Sequence, residues 1–208
     1  MSEILLTQRG DVRLNESMLQ QMYRLRHAVF HDRLGWEVNS DNGMEHDEFD
    51  KANPVYVLVR GQDGSLDACW RLLPTNGPYM LKDVFPELLA GQAAPQSPDV
   101  WELSRFAMAE GKAEVKADAA GFGLSNVPVR MVQAAVRFAQ ENGIGRFVSV
   151  TSVAIERMFR KLGVHVERLG PPIRIGRVLT VACSLEIDAI TEFALFGTLP
   201  EHAPRRAA

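Results

Sequence analysis

The stretch from Val100 to Met108 reads VWELSRFAM and decides the fold. Its apolar residues predict a strand, although Glu102 and Arg105 carry charges in the middle of it. Strict alternation would place Glu102, Ser104 and Phe106 on one face of the sheet and Arg105 on the other. An ion inside a core must be paired, because burying it alone costs too much free energy. The stretch therefore predicts a strand that carries part of a functional site.

The segments around this stretch indicate the fold class. Residues 55–60 and 66–73 predict a hairpin before it, and a helix begins near Asn15. Later segments alternate between a helix from Asn126, strands at 147–153, 164–169 and 178–187, and helices at 155–162 and 188–196. This order predicts an α/β protein, a three-layer α-β-α sandwich around one mixed sheet. We expect a single domain over residues 1–208, with a core at about 5–197 and a tail at 198–208.

The composition excludes several classes of protein. The chain has 208 residues, of which 46% are hydrophobic and 24% charged, so it can bury a full core without disulfides. Its net charge of -3 argues against a nucleic-acid partner. No apolar run approaches the ~20 residues of a membrane span, so we expect a cytoplasmic protein. Cys69 and Cys183 lie in apolar runs and are expected to be buried, reduced thiols.

Further charged residues stand where a core is expected. Any one of them alone is compatible with an edge strand whose charged side faces water. Charged residues that break the expected apolar pattern in several places tend to mark a functional site. Their carboxylates would hold an ammonium group, and their arginines a carboxylate or phosphate. With those of the central strand, they are Arg26, Asp47, Asp50, Arg71, Glu102 and Arg105. Two of the carboxylates belong to an acidic, weakly periodic segment over residues 32–54, which also contains Trp36 and Phe49.

Metal and cofactor motifs are weak in this sequence. His27 and His31 are four residues apart, and with His46 or Asp47 they would supply the ligands of a metal site. No HExxH pattern accompanies them, so we favour surface histidines and predict neither a metal nor a cofactor. The Gly121–Gly123 segment is preceded by Asp118, whose charge would repel the pyrophosphate of coenzyme A.

Taken in order, these residues resemble the acyl-homoserine lactone synthases, the LuxI-type autoinducer synthases of Gram-negative bacteria. The resemblance covers roughly residues 5–197. The matching positions are Arg26-x-x-x-Phe30, Trp36, Asp47-x-x-Asp50, Tyr56, Arg71-Leu72, Trp101–Ala107, Ser149–Val153 and Glu156-Arg157.

The resemblance implies a fold like that of the N-acetyltransferases, and two substrates. One is S-adenosylmethionine, as a substrate rather than a cofactor, and the other is a fatty acyl thioester on acyl carrier protein or coenzyme A. The amine attacks the thioester, and lactone closure then releases 5′-methylthioadenosine and a quorum-sensing signal. An N-acyltransferase of the same fold that closes no lactone stays open as an alternative.

The resemblance also suggests roles for single residues. Glu102 is our candidate general base, directly or through a water, and a backbone N–H near Phe106 is a candidate oxyanion donor. The remaining catalytic candidates are Arg26, Asp47, Asp50, Arg71 and Arg105. The candidates for binding S-adenosylmethionine are Phe30, Trp36, Ser104 and Arg105. The candidates for the acyl chain are Met80, Leu103, Phe106, Met108, Val148, Ser149, Val150, Thr151, Val153 and Met158, for which plain core packing is the alternative.

Two finer expectations follow from the same resemblance. Ser149 is a closer match than Thr151 to the hydroxyl that favours a 3-oxo acyl chain in some members. A basic patch would receive an acidic carrier protein, although a solvated helix face is the alternative for each of its members. The candidates for that patch are Lys112, Lys116, Arg157, Arg160 and Lys161. We also expect the segment over residues 32–54 to become ordered when S-adenosylmethionine binds.

Overall fold

The computed structural model describes residues 2–111 and 127–197. Its strands are β1 (Glu3–Gln8), β2 (Ser40–Asp41), β3 (Met44–Glu45), β4 (Val55–Arg60), β5 (Leu66–Pro74), β6 (Val100–Met108), β7 (Arg146–Ser152), β8 (Val166–Arg168), β9 (Ile173–Ile175) and β10 (Val178–Glu186). Its α-helices are α1 (Glu16–Arg26), α2 (Met80–Asp83), α3 (Val127–Glu141), α4 (Val153–Lys161) and α5 (Ala189–Phe196). A π-helix spans His27–Arg33, and 3-10 turns span Glu48–Lys51 and Pro86–Leu89.

One mixed sheet forms the centre of the molecule. Its order is β1-β4-β5-β6-β7-β10-β8, and β9 also pairs with β10. The β6–β7 pair is parallel, whereas the other neighbours are antiparallel. The helices α3, α4 and α5 pack against one face, and α1 and α2 against the other. The predicted α-β-α sandwich around a mixed sheet is therefore confirmed.

Local sequence signals explain where several helices begin. The Asn15 side chain accepts a hydrogen bond from the Met18 backbone N–H at 3.0 Å and so caps α1. Ser152 caps α4 in the same way, and Asp188 caps α5. The predicted Asn126 cap of α3 lies outside the described residues. In the described ranges, no helix is long and apolar enough to cross a membrane.

The acidic segment over residues 32–54 is more regular than its composition indicated. It contains the end of the π-helix, the β2–β3 pair and a 3-10 turn. These elements escaped prediction because they are too short and too polar to show a period. The strand β9 also escaped prediction, because three residues are too few to show a period.

A bulge in β6 corrects the predicted arrangement of side chains on that strand. The β5–β6 register shifts between Cys69 and Arg71, and Arg105 has a φ of +58°. The extra residue turns the side chains of Ser104 and Arg105 to the same face, contrary to the strict alternation that we expected. Phe106 consequently moves to the opposite layer, where its ring meets Trp70 edge-on at 4.8 Å.

Candidate active site

Asp50 lies at the centre of a buried ionic cluster beneath α1. Its Oδ1 accepts hydrogen bonds from Nη1 of Arg26 at 2.8 Å and Nη1 of Arg71 at 3.0 Å. The Tyr56 hydroxyl donates to the same oxygen at 2.8 Å. Burial disfavours ionisation of Asp50, but the charges of Arg26 and Arg71 outweigh it and hold the pKa below its usual value. Asp50 therefore stays ionised and ties the first helix to β5.

Glu45 completes the cluster, although sequence reasoning did not single it out. One carboxylate oxygen accepts from Arg26 Nε at 2.5 Å, and the other accepts from Arg105 Nη2 at 2.9 Å. Glu45 is fully buried on β3, and despite that burial the two guanidinium groups lower its pKa. The only sequence signal for it is its place two residues before Asp47 in the acidic segment.

Asp47 joins the two halves of the cluster. Its carboxylate accepts hydrogen bonds from Arg71 Nη1 at 2.5 Å and from Arg71 Nη2 at 3.0 Å. Its Oδ2 also lies 2.9 Å from Arg105 Nη2. Its side chain also caps the 3-10 turn by accepting from the Phe49 backbone N–H. The cluster thus pairs three arginines with three carboxylates, and its formal charges cancel. This balance is what allows so many ions in the interior.

A cavity opens beside this cluster. It lies where β6 and β7 diverge, because their pairing runs from Val100–Arg146 to Leu103–Ser149, while both strands continue further. The lining consists of Phe30, Leu34, Trp36, Met80, Phe85, Ser104, Arg105, Phe106, Val150, Thr151, Ser152 and Ile155. Eight of these residues, Phe30, Trp36, Met80, Ser104, Arg105, Phe106, Val150 and Thr151, were candidates from the sequence.

Aromatic rings form one wall of the cavity. Trp36 stacks on Phe30 with 5.4 Å between ring centroids, and Phe85 lies on its other side at 6.2 Å. Among the described residues, the buried Trp36 Nε1 has no hydrogen-bond partner. The guanidinium of Arg105 lies 5.2 Å above the Phe30 ring. This end of the cavity therefore offers π-faces, an indole N–H and a cation.

The structure separates the arginines into two groups. Arg26 and Arg71 are each 1% exposed and do not line the cavity, whereas Arg105 is 8% exposed and does. Ser104 connects the groups, because its hydroxyl accepts from Arg71 Nε at 3.1 Å and it also lines the cavity. Arg26 and Arg71 thus hold the carboxylates in place, and Arg105 with Ser104 faces the interior of the cavity.

Glu102 is separate from the ionic cluster. Its carboxylate accepts hydrogen bonds from the backbone N–H groups of Met80 at 3.0 Å and Leu81 at 2.7 Å. It is fully buried and lies behind the lining residue Met80. Burial raises the pKa of its carboxyl above the usual value, although the two backbone N–H groups and the nearby arginines oppose this. The carboxyl is therefore more basic than an exposed glutamate.

Several acyl-chain candidates lie outside the cavity lining. Leu103 and Met108 point into the layer of α3, Met108 because the bulge reverses the alternation. Val148 packs in the core under α2. Val153 begins α4, and the Ser149 hydroxyl donates to the Leu103 carbonyl at 2.8 Å. Met158, a further candidate, packs against the core on the α3 side. The cavity also takes Leu34, Phe85, Ser152 and Ile155, which were not among the candidates.

The candidate docking patch is only partly within the described residues. Arg157 and Lys161 are exposed on α4, one turn apart. Arg160 donates to Glu156 at 3.0 Å, and Arg168 donates to the same carboxylate at 2.9 Å and 2.7 Å. Lys112 and Lys116 lie outside the described residues.

A sequence profile described as autoinducer synthase matches residues 11–195. The chain belongs to the autoinducer synthase family. An acyl-homoserine-lactone synthase of Pseudomonas aeruginosa is 40% identical over 185 residues, which are 88% of this chain and 89% of that protein. The comparison confirms the family and the acyltransferase class predicted from the motifs.

Solved structures agree with this membership of the autoinducer synthase family. The crystal structure of the AHL synthase LasI has a TM-score of 0.84 and 37% identity, covering 98% of this chain and 99% of that one. A CoA-dependent acyl-homoserine lactone synthase, BjaI, solved with SAM and isopentyl-CoA, has a TM-score of 0.78 and 26% identity, covering 94% and 86%. A putative N-acetyltransferase from Lactobacillus plantarum, 15% identical with a TM-score of 0.55, covering 89% and 98%, shares the fold. The predicted N-acetyltransferase-like architecture is thus confirmed.

Proposed function

We propose that this chain transfers a fatty acyl group from an acyl thioester to the amine of S-adenosylmethionine and then closes the lactone. The second step expels 5′-methylthioadenosine, and the product is an acyl-homoserine lactone signal. The observation that carries the proposal is the cavity between β6 and β7, whose lining combines aromatic rings, Ser104 and Arg105 with apolar side chains. These two kinds of surface match the two chemically unlike substrates.

S-adenosylmethionine takes the aromatic part of the cavity in this proposal. A sulfonium cation is attracted to π-faces, which Trp36 and Phe30 provide. Arg105 and Ser104 face the same space and are the groups that would orient the methionyl part of the substrate. Their positions are set from behind by Glu45 and Arg71. Precise placement of the amine is the main contribution expected from such a framework.

The acyl chain takes the apolar part of the cavity in this proposal. Phe106, Val150 and Ile155 give that part its hydrophobic lining, and Met80 lies between it and Arg105, whose Nη1 donates to the Met80 sulfur at 3.0 Å. Attack on the thioester develops an oxyanion, which a backbone N–H near Phe106 would stabilise where β6 leaves its ladder with β7. Glu102 would take the proton of the amine through a water, because its carboxylate does not itself line the cavity.

Acyl carrier protein is the donor that we propose, with acyl-CoA as the second candidate. Arg157 and Lys161 are exposed neighbours on α4, and the start of that helix contributes to the lining of the cavity. An acidic carrier would be attracted to these two cations. The related BjaI is described as CoA-dependent, so acyl-CoA is retained as the second candidate donor.

The proposed function is tested with purified full-length protein, S-adenosylmethionine and acyl groups on both carriers. Mass spectrometry should detect an acyl-homoserine lactone and an equal amount of 5′-methylthioadenosine. An acylated product without 5′-methylthioadenosine would instead support the plain N-acyltransferase, because only lactone closure expels that group. No acylated product from any thioester would reject both functions.

The hydroxyl of Thr151, rather than that of Ser149, should set the preference for a 3-oxo chain. Thr151 lines the cavity, whereas Ser149 already donates to the Leu103 carbonyl. Thr151→Val should lower the ratio of kcat/KM for 3-oxo over unsubstituted chains about fivefold, the value of one hydrogen bond of ~1 kcal/mol. Ser149→Ala should leave that ratio unchanged and mainly lower the melting temperature. The opposite pattern would return the role to Ser149.

A further inference from the structure

The outward face of the π-helix carries a cluster that the proposed reaction does not use. The Leu34 N–H donates to the Val29 carbonyl at 3.0 Å, five residues back, so each turn takes one residue more than an α-helix. This spacing brings His27, His31 and Asp32 together on the outside. Single π-turns of this kind are frequent at functional sites.

The three side chains are close enough to share one ion. Their ligand atoms all lie within 4.8 Å of one another. The Asp32 Oδ1 is 3.5 Å from His27 Nε2 and 2.8 Å from His31 Nδ1. These values lie on either side of the about 3.3 Å that separates the donors of a tetrahedral ion with bonds of about 2.05 Å. The two imidazole rings are stacked, with 4.7 Å between their centroids and 12° between their planes.

A hydrogen-bond chain behind His27 leaves its outer nitrogen ready to bind. The Ser40 hydroxyl lies 2.6 Å from His27 Nδ1 and 3.2 Å from the Met44 carbonyl. In the tautomer of neutral His27 that carries its proton on Nδ1, the hydroxyl accepts from Nδ1–H and donates to the Met44 carbonyl, and the lone pair is on Nε2. An oriented hydrogen bond on the second ring nitrogen is the usual support of a histidine that ligates a metal.

We infer that His27, His31 and Asp32 form a site for a divalent transition-metal ion on the outer face of the π-helix. Two imidazoles and one carboxylate suit Zn²⁺, Co²⁺ or Ni²⁺, whereas Mg²⁺ and Ca²⁺ prefer oxygen donors alone. The histidine spacing alone favoured surface residues, and Asp32 and the Ser40 support change that interpretation. The inference rests on the geometry of this face and is independent of the proposed reaction.

The site would act on the conformation of the π-helix. Val29 and Phe30 lie on the inner side of the same helix, and Phe30 is a wall of the cavity. An ion bound by His27, His31 and Asp32 would restrict the conformation of the π-helix turn that carries Phe30. Because such an ion binds the folded chain, it should also raise the melting temperature.

Calorimetric titration of the untagged, chelator-treated full chain with Zn²⁺ tests the inference, and the visible absorption of Co²⁺ reports the ligand set. One equivalent should bind, and Mg²⁺ should not compete. His31→Ala and Asp32→Asn should each weaken binding at least tenfold, and Ser40→Ala about tenfold through loss of the supporting bond. His46→Ala is the matched control, because that ring packs on Tyr23 instead, and it should bind normally.

Unchanged Zn²⁺ affinity in both His31→Ala and Asp32→Asn would overturn the site, as would the absence of binding to the wild-type chain. Far-ultraviolet circular dichroism of each variant shows whether it is folded. Since the three side chains are half-buried or exposed, these substitutions should leave the spectrum unchanged. Weaker binding in the His46→Ala control instead would move the ion to another histidine and reject this assignment.

Discussion

Replacing Asp50 by asparagine should lower the free energy of unfolding by about 3–5 kcal/mol, the usual cost of removing one partner from a buried ionic cluster. The shape of the side chain is kept, so the loss comes from charge. Arg26 and Arg71 each lose a partner at 2.8 Å and 3.0 Å, and both are buried. The cluster would then hold one uncompensated positive charge.

Urea unfolding of the Asp50→Asn variant measures this loss directly. The matched control is Glu167→Gln, an acid-to-amide change at a side chain that is mostly exposed and lies 3.7 Å from the half-exposed His165. Exposed pairs contribute little, so the control should unfold close to the wild-type midpoint. Equal midpoints for the two variants would show that the ionic cluster does not stabilise the fold.

Acidification should show how much the same ionic cluster contributes to the stability of the wild-type chain. The folded pKa values of Asp50 and Glu45 lie below their ordinary values because of the arginines that surround them. Their stabilising effect is therefore complete above the pKa values of the unfolded chain, about 3.9 and 4.3, and is lost as the pH falls below them. The wild-type chain should lose stability steeply below about pH 4, and Asp50→Asn should show a shallower slope.

The sequence was sufficient for the fold class and for most of the charged cluster. Alternation and turn residues located β4, β5 and β6, and the conflict between charge and burial marked Arg26, Asp50 and Arg71. Such conflicts are visible in one dimension because each breaks a local rule.

The missing parts depend on three-dimensional placement. The face of Arg105 could not be predicted, because a bulge reverses the alternation without leaving a glycine or proline signal at that position. Glu45 lies on a two-residue strand, too short for a period. Leu103 was a reasonable candidate for the cavity, yet alternation turns it to the other layer. A lining made by several distant segments becomes visible only when the chain is folded.

Glu102 lies where it could serve two tasks. As a base it would accept the proton of the amine, and as a structural residue it holds the backbone N–H groups of Met80 and Leu81. Glu102→Gln should lower kcat by about 10²–10³, in the range of a lost general base. It should be less destabilising than Asp50→Asn, because ionised Glu102 is itself costly to bury and the amide removes that charge while sacrificing one hydrogen bond.

The pH profile of kcat/KM separates the two tasks of Glu102. In the wild-type chain the rate should rise through the raised pKa of this carboxyl, since only the ionised form can accept a proton. Glu102→Gln should lose that rise and show a low, flat acidic limb. A variant with a lower melting temperature, near-normal kcat and the wild-type profile would assign Glu102 to holding the Met80–Leu81 turn and would remove it from proton transfer. The base would then have to be sought among the groups that line the cavity itself.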